Sequence, residues 1–191
     1  MNRLDLEHLI RAAGAIIQRD ELIIIGSQSI LGAFPDIDNE VIIQSSEADI
    51  IPIGDEEDLR DVIDGSLGES SRFHKTFGIY AQGVALNTAV LPTGWRSRLI
   101  PVGGENTRGV TGWCLDPADL VLAKYAASRE KDFEFNREVI REGLVSKDIL
   151  LDRLSTMTIV PERKRSIQRT IEYEFSRKEL ANRIDNSKER S

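Results

Sequence analysis

Glu47 and Asp49 stand one residue apart in "SSEADIIP" (Ser45–Pro52), a stretch whose isoleucines read as a strand. Successive strand side chains alternate faces, so the two carboxylates project together while Ala48 and Ile50 point the other way. Paired carboxylates repel unless water or a cation neutralises them. Mg²⁺ suits such a pair, because it takes oxygen ligands and is usually bound through one or two carboxylates plus substrate phosphates and water. The same spacing also arises on a half-exposed strand with alternating polar residues. Upstream, "IIIGSQS" is a buried-looking run that ends in Gly26-Ser27. Glycine allows close approach of a phosphate and serine brings a hydroxyl; a strand, a Gly-Ser turn and a helix together present backbone N–H groups to an anion. Equally, Gly-Ser is a turn that ends a strand.

The elements that must position these residues follow from periodicity. Leu6, Leu9, Ile10, Ala13, Ile16 and Ile17 fall at helical spacing and predict an amphipathic helix over 5–19. Leu22–Ile25 reads as a strand buried on both faces. Gln28–Phe34 predicts one or two helical turns, 36–40 a loop, and Val41–Ile43 either a helix end or a strand. Glu47–Ile53 is the strand with the two acids, and Asp58–Leu67 a helix. Gly78–Ala81 and Val84–Leu91 read as two strands joined by a hairpin-like turn at Gln82-Gly83, and Trp95–Val102 as another strand. From there helices are expected: one from the Asp116-Pro117 cap to about Ser128, one over Asp132–Glu142 stopped by Gly143, one over Ser146–Leu154, and one from Pro161 through Ile167, Ile171 and Phe175. The expected architecture is α/β (α+β), a mixed sheet flanked by helices: an α/β core over 1–113, then a helical region over 114–191 with a charged tail from about 162.

Bulk properties narrow the classes of function. The chain has 191 residues, 40% hydrophobic and 30% charged, as an ordinary globular protein has. The net charge of −7 argues against a general nucleic-acid coat. Charge is uneven: Glu162–Ser191 holds nine Lys/Arg against six Asp/Glu, which reads as a solvated helix or as an RNA- or partner-binding arm. The single cysteine, Cys114, permits no internal disulfide, fits a reducing compartment, and reads as a small core residue. No apolar run approaches the roughly 18 residues of a membrane span, and the first residues enter an amphipathic pattern directly. A cytoplasmic location, with no membrane partner, is expected. His74 reads as an interior histidine rather than a general base, and Trp95 and Trp113 as core or hairpin anchors.

Strand, Gly-Ser, helix, then a strand with acid-x-acid: this layout resembles the nucleotidyltransferase superfamily, whose core pattern is a Gly-Gly or Gly-Ser turn followed by two acids around an apolar residue. "CLDPADLVLAKYAASREKDFEFNREVIREGL" (Cys114–Leu144) resembles the Asp-Leu-x5-Lys-x4-Arg-x-Lys-Asp signature of bacterial nucleotidyltransferase-like proteins related to AbiEii-type toxins. "GESSRFHKTFGIYAQGV" and "LPTGWRSRL" extend the likeness over about 20–155. The resemblance implies that Gly26 and Ser27 contact a nucleoside triphosphate and that Glu47 and Asp49 hold Mg²⁺. It further implies that Lys124 reaches the phosphates as a mobile charge, that Arg129 and Lys131 lie close to the site, and that Asp132 acts near the metal or the acceptor. The implied activity moves a nucleoside monophosphate onto an RNA or protein acceptor, in a toxin–antitoxin or phage-defence setting with a cognate partner. Two departures stand out: the first acid is Glu rather than Asp, and the strands expected over Val84–Leu91 and Arg98–Val102 carry no third acid. With the basic tail, these leave open a non-catalytic member, an antitoxin or defence-system subunit that binds through the same fold.

Overall fold

Four consecutive apolar residues, Leu22–Ile25, are all buried, and they form most of the central strand β1 (Glu21–Ile25) of a five-stranded mixed sheet. The computed structural model describes residues 1–188. Helix α1 (Arg3–Ile17) comes first, opened by a capping box in which Asn2 and Asp5 exchange backbone–side-chain hydrogen bonds. Strands β2 (Glu47–Pro52), β3 (Tyr80–Gly83), β4 (Ile100–Val102) and β5 (Thr111–Cys114) complete a sheet of order β3-β2-β1-β5-β4. β1 runs antiparallel to β2 and parallel to β5; β2–β3 is parallel and β4–β5 antiparallel. Helix α1 lies close on one face: a side chain at Gly112 would stand 2.8 Å from Ile10 Cγ1, so glycine lets helix and sheet approach.

A 3₁₀ turn (Ser27–Gly32) follows β1, and α2 (Glu40–Ile43) resolves the ambiguous apolar run as a short helix capped by Asn39. Helix α3 (Glu57–Leu67) and helix α4 (Arg72–Phe77) form the crossover between parallel β2 and β3. After β5 come α5 (Pro117–Ala127), α6 (Glu130–Arg141), α7 (Lys147–Ser155) and the long α8 (Pro161–Lys188). The mixed sheet flanked by helices, with a helical C-terminal part, agrees with the expected fold class.

Several local expectations are corrected. There is no hairpin at Gln82-Gly83: these residues belong to β3, which pairs in parallel with β2. The ladder ends where the Val84 N–H donates to Ile50 O, and Val84–Leu91 is irregular around a 3₁₀ turn at Leu86–Thr88. Gly83 is a packing glycine, since a side chain there would stand 2.7 Å from the Arg60 Cα on α3. Gly78, placed in a strand by pattern, is instead the left-handed cap of the unforeseen α4. The expected strand Trp95–Val102 is a 3₁₀ turn over Trp95–Arg98 followed by β4, where Pro101 is tolerated because β4 is an edge strand. Strand β5 was not foreseen. Helix α6 starts at Glu130, two residues before the expected start at Asp132, which lies in its first turn.

The basic stretch from 162 is put to internal use at several points. Arg163 donates to the carbonyls of Tyr125 and Ala126 at the end of α5, and Lys178 to that of Ile140 near the end of α6. Ile167 and Ile171 are buried and Phe175 partly so; residues 189–191 of the tail lie outside the described residues. Among the described residues no helix is long and apolar enough to cross a membrane.

Candidate active site

β1 and β2 pair so that Ile25 sits opposite Asp49, which brings the acids to the strand end that delivers Gly26-Ser27. β2 pairs with β3 so that Glu47 faces Tyr80 and Asp49 faces Gln82. Paired residues share a face of the sheet. Glu47, Asp49, Tyr80 and Gln82 therefore form one polar patch, while Ala48, Ile50 and Ala81 on the opposite face are fully buried.

That patch is one wall of a cleft of about 490 Å³. Gly26 and Ser27 lie beside it, and the other wall comes from α5 and α6 with Leu120, Lys124, Arg129, Lys131 and Asp132. Every residue that the resemblance implies for the site thus lines a single cavity. Tyr80 and Gln82 were missed as lining residues, although "IYAQ" alternates apolar and polar in the manner of a half-buried strand; the expected strand holds Tyr80 but ends at Ala81, with Gln82 in a turn.

Gly26 is required by geometry. Its backbone, at φ 73° and ψ −174°, occupies a region open almost only to glycine. A Cβ there would overlap Asp49 Oδ2 and stand 2.9 Å from its Cγ. The carboxylate of Asp49 therefore rests directly on the glycine backbone. Burial, joined by the negative charge of Glu47, pushes the Asp49 carboxyl up to about 6 against the opposing pull of Lys124, Arg129 and Lys131. Among the described residues neither acid forms an ion pair, and no three His, Cys, Asp or Glu side chains gather as a metal site.

The cationic wall is organised by Asp132, which is 1% exposed. Lys124 Nζ donates to Asp132 Oδ1 at 2.9 Å and Arg129 Nε donates to Oδ2 at 2.9 Å. The Lys124 ammonium also lies 4.4 Å from the centre of the Phe135 ring. The expected mobile lysine is thus tethered and largely covered. Burial lowers its proton affinity, Asp132 restores part of it, and the charges of Arg129 and Lys131 lower it further, so the net shift is downward. For Asp132, burial alone would raise the carboxyl, but the hydrogen bonds and charges of Lys124 and Arg129 outweigh it and hold the group below its ordinary range.

The remaining candidates lie elsewhere. His74 is half-buried, accepts the Ser70 N–H at 3.0 Å and packs against Tyr80 with ring centres 4.7 Å apart. Trp113 donates to Glu21 and Trp95 lies under the Arg96 guanidinium; neither lines the cleft. Cys114 is fully buried and its thiol is pushed up to about 12, the state of an inert core residue.

The arrangement sets two unpaired carboxylates against three cations across one cleft. Such a cleft suits a polyphosphate carried with a divalent cation: the carboxylates offer oxygen ligands to the ion, and the cations meet the phosphates. Compared with known families, residues 4–189 match the family described as nucleotidyltransferase of unknown function (DUF6036). The chain belongs to that family. Comparisons with curated proteins and with solved structures find no match.

Proposed function

From that membership we propose that the protein is a Mg²⁺-dependent nucleotidyltransferase that moves a nucleoside monophosphate from a nucleoside triphosphate to a hydroxyl of an RNA or protein acceptor. The observation that carries the proposal is the convergence of Gly26-Ser27, Glu47, Asp49, Lys124, Arg129 and Lys131 on one cleft. The donor set fits Mg²⁺: two carboxylates on one sheet face, repelling each other and unpaired, with the remaining coordination open to phosphate oxygens and water. Glu47 and Asp49 would hold the ion, which when bound neutralises phosphate charge and lowers the proton affinity of an oxygen it binds. Gly26 leaves the room in which Asp49 sits. Lys124, Arg129 and Lys131 neutralise the triphosphate and hold it along the helical wall. Leu115 and Leu120 line the cleft with apolar surface. In the reaction the acceptor hydroxyl oxygen bonds to the α-phosphorus and gives up its proton to solvent, the bond from that phosphorus to the bridging oxygen breaks, and pyrophosphate leaves. A role in a toxin–antitoxin or phage-defence system, with a cognate toxin or antitoxin as partner, follows from the resemblance to AbiEii-type proteins.

The test incubates purified protein with Mg²⁺ and each labelled nucleoside triphosphate in the presence of cellular RNA and protein. Label should pass to one acceptor class, and Glu47→Ala with Asp49→Ala should abolish transfer. Nucleotide binding without transfer under any condition would favour the second reading, a member that uses the fold to bind. A protein that neither binds nor transfers would sink both.

A further inference from the structure

Among the described residues Asp132 is the one acid of the cleft whose two oxygens are both taken. Oδ1 accepts from Lys124 Nζ and Oδ2 from Arg129 Nε, each at 2.9 Å, while the side chain itself is 1% exposed. The two cations differ in setting: the Lys124 side chain is 10% exposed and that of Arg129 64%. Lys124 spends one of three N–H donors on Asp132, and Arg129 spends only Nε, leaving the terminal nitrogens of its fork without a partner among the described residues. One buried carboxylate thus holds two cations that line the cleft and leaves further donors of both uncommitted to it. An acid so covered has no surface to offer an ion or an incoming hydroxyl. The resemblance gave Asp132 work near the metal or acceptor, and the geometry reads otherwise.

We propose that Asp132 is a positioning residue, setting Lys124 and Arg129 in place to receive a triphosphate, and that it neither ligates metal nor accepts a proton. This rests on the reading of the cleft as a triphosphate site. Two charge-assisted bonds to one rigid anchor keep flexible side chains from collapsing toward Glu47 and Asp49, so less ordering remains to be done when phosphate arrives.

The experiment measures inorganic triphosphate and Mg²⁺ binding by calorimetry on the full chain, in the native protein, Asp132→Asn, the pair Lys124→Met with Arg129→Gln, and the triple variant. Asp132→Asn should weaken triphosphate about tenfold, the scale of one charge-assisted bond, and should leave the Mg²⁺ concentration at half effect unchanged. In the background lacking both cations the same substitution should cost less than about twofold, because there is nothing left to position. A loss that persists undiminished in that background, or a shifted Mg²⁺ requirement, would overturn the proposal. Should Asp132→Asn not fold, Asp132→Glu replaces it: one added methylene keeps the charge but displaces both cations. Triphosphate affinity should then fall with the Mg²⁺ requirement unmoved, and the opposite pattern would refute the assignment. Native protein that binds no triphosphate would remove the nucleotidyltransferase reading and this one together. Binding with an Asp132 effect independent of the cations would remove this one alone.

Discussion

Gly26→Ala tests the tightest contact of the site. At φ 73° and ψ −174° the backbone stands where a side chain costs about 1–3 kcal/mol. The new methyl would also overlap Asp49 Oδ2, and forcing an atom into a filled space typically costs a further ~1–3 kcal/mol. In a chain of this size each kcal/mol lowers Tm by about 2–4 °C, so the melting point should fall by at least several degrees. Gly78→Ala is the clash-free control: its φ is also 73°, but its ψ of 2° puts it in the milder left-handed helical region and nothing lies within 4 Å of the position, so only a smaller backbone strain is introduced. The two contributions separate in a double-mutant cycle with Asp49→Ala, measured by urea unfolding without Mg²⁺. Removing the carboxylate leaves Asp49 Cβ 3.3 Å from the new methyl, a contact that small shifts relieve. Gly26→Ala should therefore be milder in the Asp49→Ala background by about 1–3 kcal/mol, whereas Gly78→Ala should show no such coupling. Additivity of Gly26→Ala and Asp49→Ala within ~0.5 kcal/mol would refute the claim that the carboxylate rests on the glycine.

Two further predictions follow from the charges. Asp49 has its carboxyl raised from 3.8 to about 6, so its contribution to stability is full below pH 3.8 and is lost as pH rises through 6. Asp49→Asn should thus stabilise the metal-free protein at pH 7.5, by up to about 3 kcal/mol, with the gain vanishing toward pH 4 in thermal melts; a gain that grows as pH falls would contradict the assignment. Outside the cleft, fully buried Asp119 accepts from Arg98 at 2.8 and 3.0 Å and from Arg153 at 3.1 Å, while Arg153 also pairs with Asp116. Asp119→Ala strands the Arg98 guanidinium, leaves Arg153 with Asp116 alone, and should cost about 3–5 kcal/mol in urea unfolding, while nucleotide affinity of the folded fraction stays unchanged.

What could be read from the sequence follows the range of the interactions. Leu22–Ile25 is apolar on both faces because β1 is central, and that information is local. So is the Asp116-Pro117 start of α5, where the Asp116 side chain accepts the Ala118 N–H as a cap does. The alternation that places Glu47 and Asp49 together is equally local. Strand β3 is different. Its partner is β2, 33 residues away by register, across two helices, and a parallel pairing leaves no turn signature beside it. "GVALNTAVL" is as apolar as a strand, yet lacks a neighbour to pair with once the ladder ends at Val84. Asp132 was legible as a site residue, but its partners were not, because whether a carboxylate meets a metal or two cations depends on how α6 packs on α5.

The charge layout of the cleft explains why that packing matters. The sheet brings the acids Glu47 and Asp49, while α5, α6 and the turn between them bring the cations Lys124, Arg129 and Lys131, with Asp132 and Glu134 the acids on that helical side. Ser128 holds that turn with a left-handed φ of 59°, its N–H bonded to Lys124 O and its hydroxyl to Tyr125 O. The turn therefore fixes where Arg129 leaves α5, and Asp132, one turn further on, reaches back to Lys124. Were the acids to face the cations at contact distance, they would form salt bridges and the cleft would be occupied by its own side chains. In the positioning role proposed for it, Asp132 prevents this by holding Lys124 and Arg129 on the helical side. The sheet acids are left unpaired with their mutual repulsion, and that repulsion is what a divalent cation bearing a triphosphate would relieve.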